Sequence, residues 1–211
     1  VIEHAGPVLA VPIQRPNFHC WADAVVPVQG AYTLAQHLAE YDRIPAEIRE
    51  VFEAPRLYPH DSADQTQGVV RSLSIHFGFD DAGADGRAVA GRYTGDIWVT
   101  SRARTRTLVH EFGHHVDYMF NRMAAGGNGS RQPLSTLPEW QQLWNDVRPG
   151  IPSGNYAGES SVEWFAELFA WQVLDDASAF LRAAGNTVAR ARAVRAAFLA
   201  VLPMRTPFHY D

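Results

Sequence analysis

The stretch Thr105-Arg106-Thr107-Leu108-Val109-His110-Glu111-Phe112-Gly113-His114-His115-Val116-Asp117-Tyr118-Met119 sets two histidines four residues apart inside an amphipathic run. Leu108 and Val109 precede the pair and Val116 and Met119 follow it, so a helix is predicted from Thr105 to Met123. Positions i and i+4 are neighbours on one helix face, and His110 and His114 can therefore turn two imidazoles toward a single zinc ion. Glu111 lies one residue round, beside the open position of such an ion. Zinc lowers the pKa of a coordinated water to near neutrality, and an adjacent carboxylate can take its proton during attack on a carbonyl. Nine His and ten Glu among 211 residues would produce only about 0.02 such matches by chance. The alternative is a purely structural helix with no metal.

His115, at i+5 from His110, is turned roughly 140° away by helix geometry and reads as a polar contact. Asp117 could accept a hydrogen bond from a ligand imidazole or be a surface carboxylate. The other histidines show no ligand spacing and read as structural. A catalytic zinc keeps three protein ligands and one open position, so a third ligand must lie elsewhere. A third His six residues after His114 would fall on Phe120, which excludes the extended three-His pattern. Glutamate is the natural candidate. Glu159, Glu163 and Glu167 are spaced by four, and Glu163 and Glu167 share a face of a helix beginning near Ser160. Glu163 alone reads as the third position of a capping box opened by Ser160. Beside a two-His site lacking a ligand, the Glu-x-x-x-Glu pair is better explained as one carboxylate on zinc and one orienting an imidazole.

Outward from the motif, the chain reads as an α+β domain, with few strands among many helices. Short helices are predicted over Thr33 to Tyr41 and Pro45 to Phe52, strands over Val69 to Phe77 and Ile97 to Val99, and loops over Asp80 to Gly86 and Gly126 to Ser130. Thr136-Leu137-Pro138-Glu139 reads as a capping box opening a helix to Val147, Ser160 opens another to Leu174, and a last helix runs from Thr187 to Leu202, its arginines forming a solvated face. Residues 1–30, with four prolines, read as an extended arm, and 31–211 as the catalytic domain.

The net charge of -5 calls for no nucleic acid or anionic membrane partner. All 18 basic residues are Arg, which reads as the coding bias of a GC-rich genome; the alternative is avoidance of ubiquitin-accepting lysines by a chain that enters a eukaryotic cytosol. The single Cys20 rules out an internal disulfide and a multi-thiolate zinc site. It could still hold the enzyme latent by placing a thiolate on the zinc, although a lone buried thiol is the simpler reading. No apolar run is long enough to cross a bilayer, and Val1-Ile2-Glu3-His4 lacks the basic start of a signal peptide.

Leu108 to Tyr118, joined with Tyr156-Ala157-Gly158-Glu159-Ser160-Ser161-Val162-Glu163-Trp164-Phe165-Ala166-Glu167, resembles the catalytic domain of anthrax toxin lethal factor and the related Pro-Pro endopeptidases. The resemblance extends diffusely from about Thr33 to Leu202. It implies a zincin-like single domain, with a small mixed sheet packed on the motif helix and a helical C-terminal half. It also implies one zinc ion held by His110, His114 and Glu163, with Glu167 behind a ligand imidazole, Glu111 as base and Tyr156 donating to the oxyanion. The implied substrate is a peptide or protein lying as an extended strand along Gly95, Ile97 and Trp98, and the implied setting is secretion, as an effector acting on host proteins or a protease processing surface proteins. The competing function is a non-proteolytic zinc-binding module acting in protein interaction.

Overall fold

The computed structural model describes residues 17–20, 29–54, 56–58, 69–79, 89–124 and 132–211. In chain order the elements are β1 (Asn17–Cys20), α1 (Leu34–Tyr41), α2 (Ala46–Glu53), β2 (Arg56–Tyr58), β3 (Val69–Arg71), β4 (Ser74–Phe79), β5 (Gly91–Tyr93), β6 (Ile97–Thr100), α3 (Thr107–Ala124), α4 (Pro138–Val147), α5 (Ser161–Val173), α6 (Ala177–Ala183) and α7 (Val188–Val201). Single 3-10 turns lie at Leu134–Thr136, Arg148–Gly150 and Tyr156–Gly158. The strands fall in the first half and the helices dominate the second, an α+β arrangement. The predicted loops at Asp80 to Gly86 and Gly126 to Ser130, and the side chain of Cys20, lie outside the described residues.

The larger sheet has the order β1-β4-β6-β5, with β1, β4 and β6 parallel and β5 antiparallel to β6. Ile75 and Phe77 of β4 and Ile97 and Val99 of β6 are buried on one face, as a period of two requires. Gly95 turns the β5–β6 hairpin at φ 93°, a conformation that side chains resist. The strand expected over Val69 to Phe77 is two strands in two sheets, since β3 pairs antiparallel with β2. Asp96 clamps the break by accepting from Arg71 (2.6 Å) and from the Ser74 amide (3.1 Å).

The motif helix α3 packs against β5, β6, α1, α2 and α5. Leu108, Val109, Phe112, Val116 and Met119 fill the core on more than one side of it. In α5, Trp164, Phe165, Leu168 and Phe169 are all fully buried, and a helix apolar all round belongs at the centre of a fold. The two meet closely at Gly113, where a Cβ would lie 3.0 Å from Ala166 Cα and 3.3 Å from Phe169 Cβ. That approach brings α5 close enough for its carboxylates to reach the histidines. Alanine's better helix propensity offsets only part of the overpacking, so Gly113→Ala should lose about 1–2 kcal/mol in urea unfolding. A more stable variant would refute the contact.

Two local expectations are corrected. Thr136 does not cap α4, because its hydroxyl donates to Pro133 O at 2.8 Å; Leu137 is the cap residue and Pro138 opens the helix. The arginines of α7 are not all solvated. Arg195 is 1% exposed and donates to Asp211 (2.6 Å), Gln172 (3.0 Å) and Arg205 O (2.8 Å), which satisfies a buried guanidinium. The Arg195 hydrogen bond holds the Asp211 carboxyl below its ordinary value. A depressed folded-state pKa stabilises fully above the unfolded value of about 4 and is lost as pH falls through the folded one. Wild type should therefore lose more melting temperature than Asp211→Asn between pH 7 and pH 3. Equal losses would remove Asp211 from the acid response.

Candidate active site

Helix α3 delivers His110, Glu111 and His114, and α5 delivers Glu163 and Glu167 across the Gly113 crossing. His110 Nε2 lies 3.1 Å from His114 Nε2, and Glu163 Oε2 lies 3.2 Å from each. These donor atoms form a nearly equilateral triangle. For tetrahedral zinc with bonds of about 2.0–2.1 Å, ligand atoms sit about 3.3 Å apart, so two nitrogens and one carboxylate oxygen fit the ion in number, kind and spacing.

The opening of α5 shows why Glu163 is available. Ser160 Oγ accepts from the Glu163 amide at 3.2 Å, which is half of the expected capping box. The return half is absent, because the Glu163 carboxylate has gone to the imidazoles. Burial alone would raise the pKa of Glu163, yet the hydrogen bonds from His110 and His114 outweigh it and hold the carboxylate well below its usual range. Burial lowers His110 to about 4. Burial also opposes charge on His114, but Glu163 and Glu111 outweigh it and raise this group.

Glu111 is buried and its carboxyl is raised to about 7, first by burial and then by Glu163, against His114 and Arg106. It abuts β5 closely, since a Cβ on Gly91 would lie 2.8 Å from Glu111 Oε1. Tyr156, on a 3-10 turn capped by the Asn155 side chain, is 43% exposed and its ring centroid lies 5.8 Å from that of His110. Burial and then the Glu163 charge raise its phenol well above the ordinary value, so the hydroxyl keeps its proton as a donor. Glu167 Oε1 lies 3.0 Å from His110 Nδ1, behind the triangle.

Two adjoining cavities share Gly91, His110, Glu111 and Tyr156. One, about 250 Å³, continues past Tyr93, Tyr118, Val162 and Glu163. The other, about 340 Å³, continues past Val89, Arg106, Thr107 and Glu167. Gly95, Ile97 and Trp98 line neither. Strand β6 is paired on both sides, Ile97 is in the core, and Trp98 stacks on His76 at 3.9 Å between ring centroids. Among the described residues, the strand at the sheet's end, beside Glu111, is β5.

His115 and Asp117 are both fully buried. His115 Nε2 lies 2.8 Å from Phe52 O and its Nδ1 3.1 Å from the Tyr93 hydroxyl, so it ties α2 and β5 to the motif helix. Asp117 is no surface group: it accepts from Ser135 N (2.7 Å) and Ser135 Oγ (2.6 Å). The sequence reading missed Arg106, Gly91, Tyr93 and Tyr118. Arg106 stands four residues before His110, but it precedes α3 with φ at 74°, so helical spacing could not have placed its side chain. The β5 residues carry no periodic signal in a strand of three.

No protein-family model and no curated protein sequence matches this chain. Among solved structures it is similar to a Pro-Pro endopeptidase from Paenibacillus alvei, at 16% identity over 83% of this chain and 98% of that one, with a TM-score of 0.46. A likeness of that size assigns no role to any side chain, so the chemistry has to come from the site itself. No helix among the described residues is long and apolar enough to cross a membrane.

Proposed function

We propose that the chain is a zinc-dependent endopeptidase whose metal is held by His110, His114 and Glu163. The observation that carries this reading is the triangle of donor atoms with Glu111 in the same cleft. The likeness of the two motif segments to lethal factor and the Pro-Pro endopeptidases agrees with it. The proposed catalytic unit is residues 31–211 together with β1, which completes its sheet.

When bound, zinc supplies Lewis acidity toward a water and the scissile carbonyl. Glu111 takes the proton from the attacking water and passes it to the leaving amine. Tyr156 donates its hydroxyl to the carbonyl oxygen as charge develops there, an interaction made only in the transition state. Glu167 orients His110 through Nδ1. The substrate backbone pairs with β5 in place of the β6 residues Gly95, Ile97 and Trp98, and is held between Tyr118 and Tyr156.

Incubating the zinc-loaded protein with an unbiased peptide pool should yield internal cleavages that a chelator abolishes. A zinc-loaded protein that cuts nothing would reject the peptidase reading in favour of a binding module. In the same assay Tyr156→Phe should lose about 10²-fold in kcat with unchanged zinc content, as for other single oxyanion donors. Undiminished turnover would remove Tyr156 from the mechanism.

A further inference from the structure

The carboxylate of Glu167 is buried, and a buried carboxylate needs its oxygens held and its charge opposed. Oε2 accepts the Trp171 indole N–H at 3.2 Å. Oε1 lies 3.0 Å from His110 Nδ1 and forms an ion pair with Arg106. One oxygen atom therefore separates the Arg106 guanidinium from a proposed zinc ligand. The guanidinium also lies over the Trp171 ring, 4.9 Å from its centroid, so the indole that donates to Glu167 packs against the arginine as well.

The backbone at Arg106 is unusual, with φ at 74°, a conformation that costs a residue with a side chain conformational energy. Both sides of it are tied down. Glu40 of α1 accepts from the Arg106 amide at 2.7 Å and from the Thr105 hydroxyl at 2.6 Å, while Arg106 O accepts from the His110 amide at 2.8 Å. Strain retained in this way beside a cleft points to a side chain whose position matters.

We infer that Arg106 is a positioning residue for the metal site. It fixes the Glu167 oxygen that faces His110 Nδ1, and so keeps His110 Nε2 turned toward His114 and Glu163. This rests on the zinc reading above. It adds a path, running from α1 through the strained residue to α5, by which the fold holds one imidazole.

The test uses the metal-stripped full chain, reading zinc affinity by competition with a chromophoric chelator and site geometry by the visible spectrum of the cobalt-loaded form. Arg106→Gly, which suits the left-handed backbone, should weaken zinc binding about tenfold or more and shift the cobalt bands. Arg106→Lys should recover most of the affinity by restoring a cation. In a Glu167→Gln background Arg106→Gly should add little, because the effect passes through Glu167. If the glycine variant does not fold, Arg106→Gln answers the same question. Wild-type affinity and spectrum in Arg106→Gly, or in Arg106→Gln where it stands in for the glycine variant, or an undiminished loss in the Glu167→Gln background, would overturn the inference alone. A wild type that binds no zinc would overturn the zinc reading and this inference with it.

Discussion

Glu111→Gln is expected to keep one zinc ion per chain while losing about 10²–10⁴-fold in kcat, or roughly 3–5 kcal/mol of barrier lowering. Glutamine has nearly the same size and shape, so the close contact with Gly91 survives. Glu111 is also outside the donor triangle, so metal content should not change. What disappears is the only role that needs a titrating oxygen, taking a proton from water and returning it to the amine. Burial in the cleft disfavours the charge on this carboxyl, which strengthens it as a base. Elemental analysis and turnover of a peptide selected from the cleaved pool provide the two readouts. Full activity with zinc retained would remove Glu111 as the base.

Glu163→Ala should weaken zinc at least about a hundredfold and abolish cleavage, because it removes the only carboxylate in the triangle and leaves two imidazoles on one helix. Glu159→Ala is the matched control. Glu159 stands one helical repeat earlier in sequence but is exposed, outside α5 and outside both cavities, so its loss should leave affinity unchanged. Zinc retained by Glu163→Ala, measured by the same chelator competition, would mean that the third ligand lies elsewhere.

The parts of this site that could be read in the sequence are those set by helical spacing. His110, Glu111 and His114 follow from i and i+4 on one face, and Glu163 and Glu167 from the same rule on a second helix. What spacing could not supply is which carboxylate faces the metal. That depends on how α5 crosses α3 at Gly113, a tertiary contact between residues more than fifty positions apart. The Ser160 capping pattern shows the ambiguity well: its hydroxyl caps as the sequence suggests, while the glutamate that should complete the box is drawn to the histidines.

Strand readings were weaker for a physical reason. Val69 to Phe77 has enough alternation for a single strand, but pairing partners decide sheet membership, and Asp96, distant in sequence, clamps the break. The short β5 has no periodicity to detect, yet it lies beside Glu111. Arg195 and Asp117 look like surface charges on their own helices and become core groups only because Asp211, Gln172 and Ser135 arrive from elsewhere.

The central claim is that His110, His114 and Glu163 form a zinc site. Its most direct test is to titrate the metal-stripped chain with zinc, comparing wild type with His110→Ala by calorimetry. The account predicts one tightly bound ion per wild-type chain and a loss of that site in the variant. A wild type that takes up no zinc, or a variant that binds it as tightly, would contradict the account.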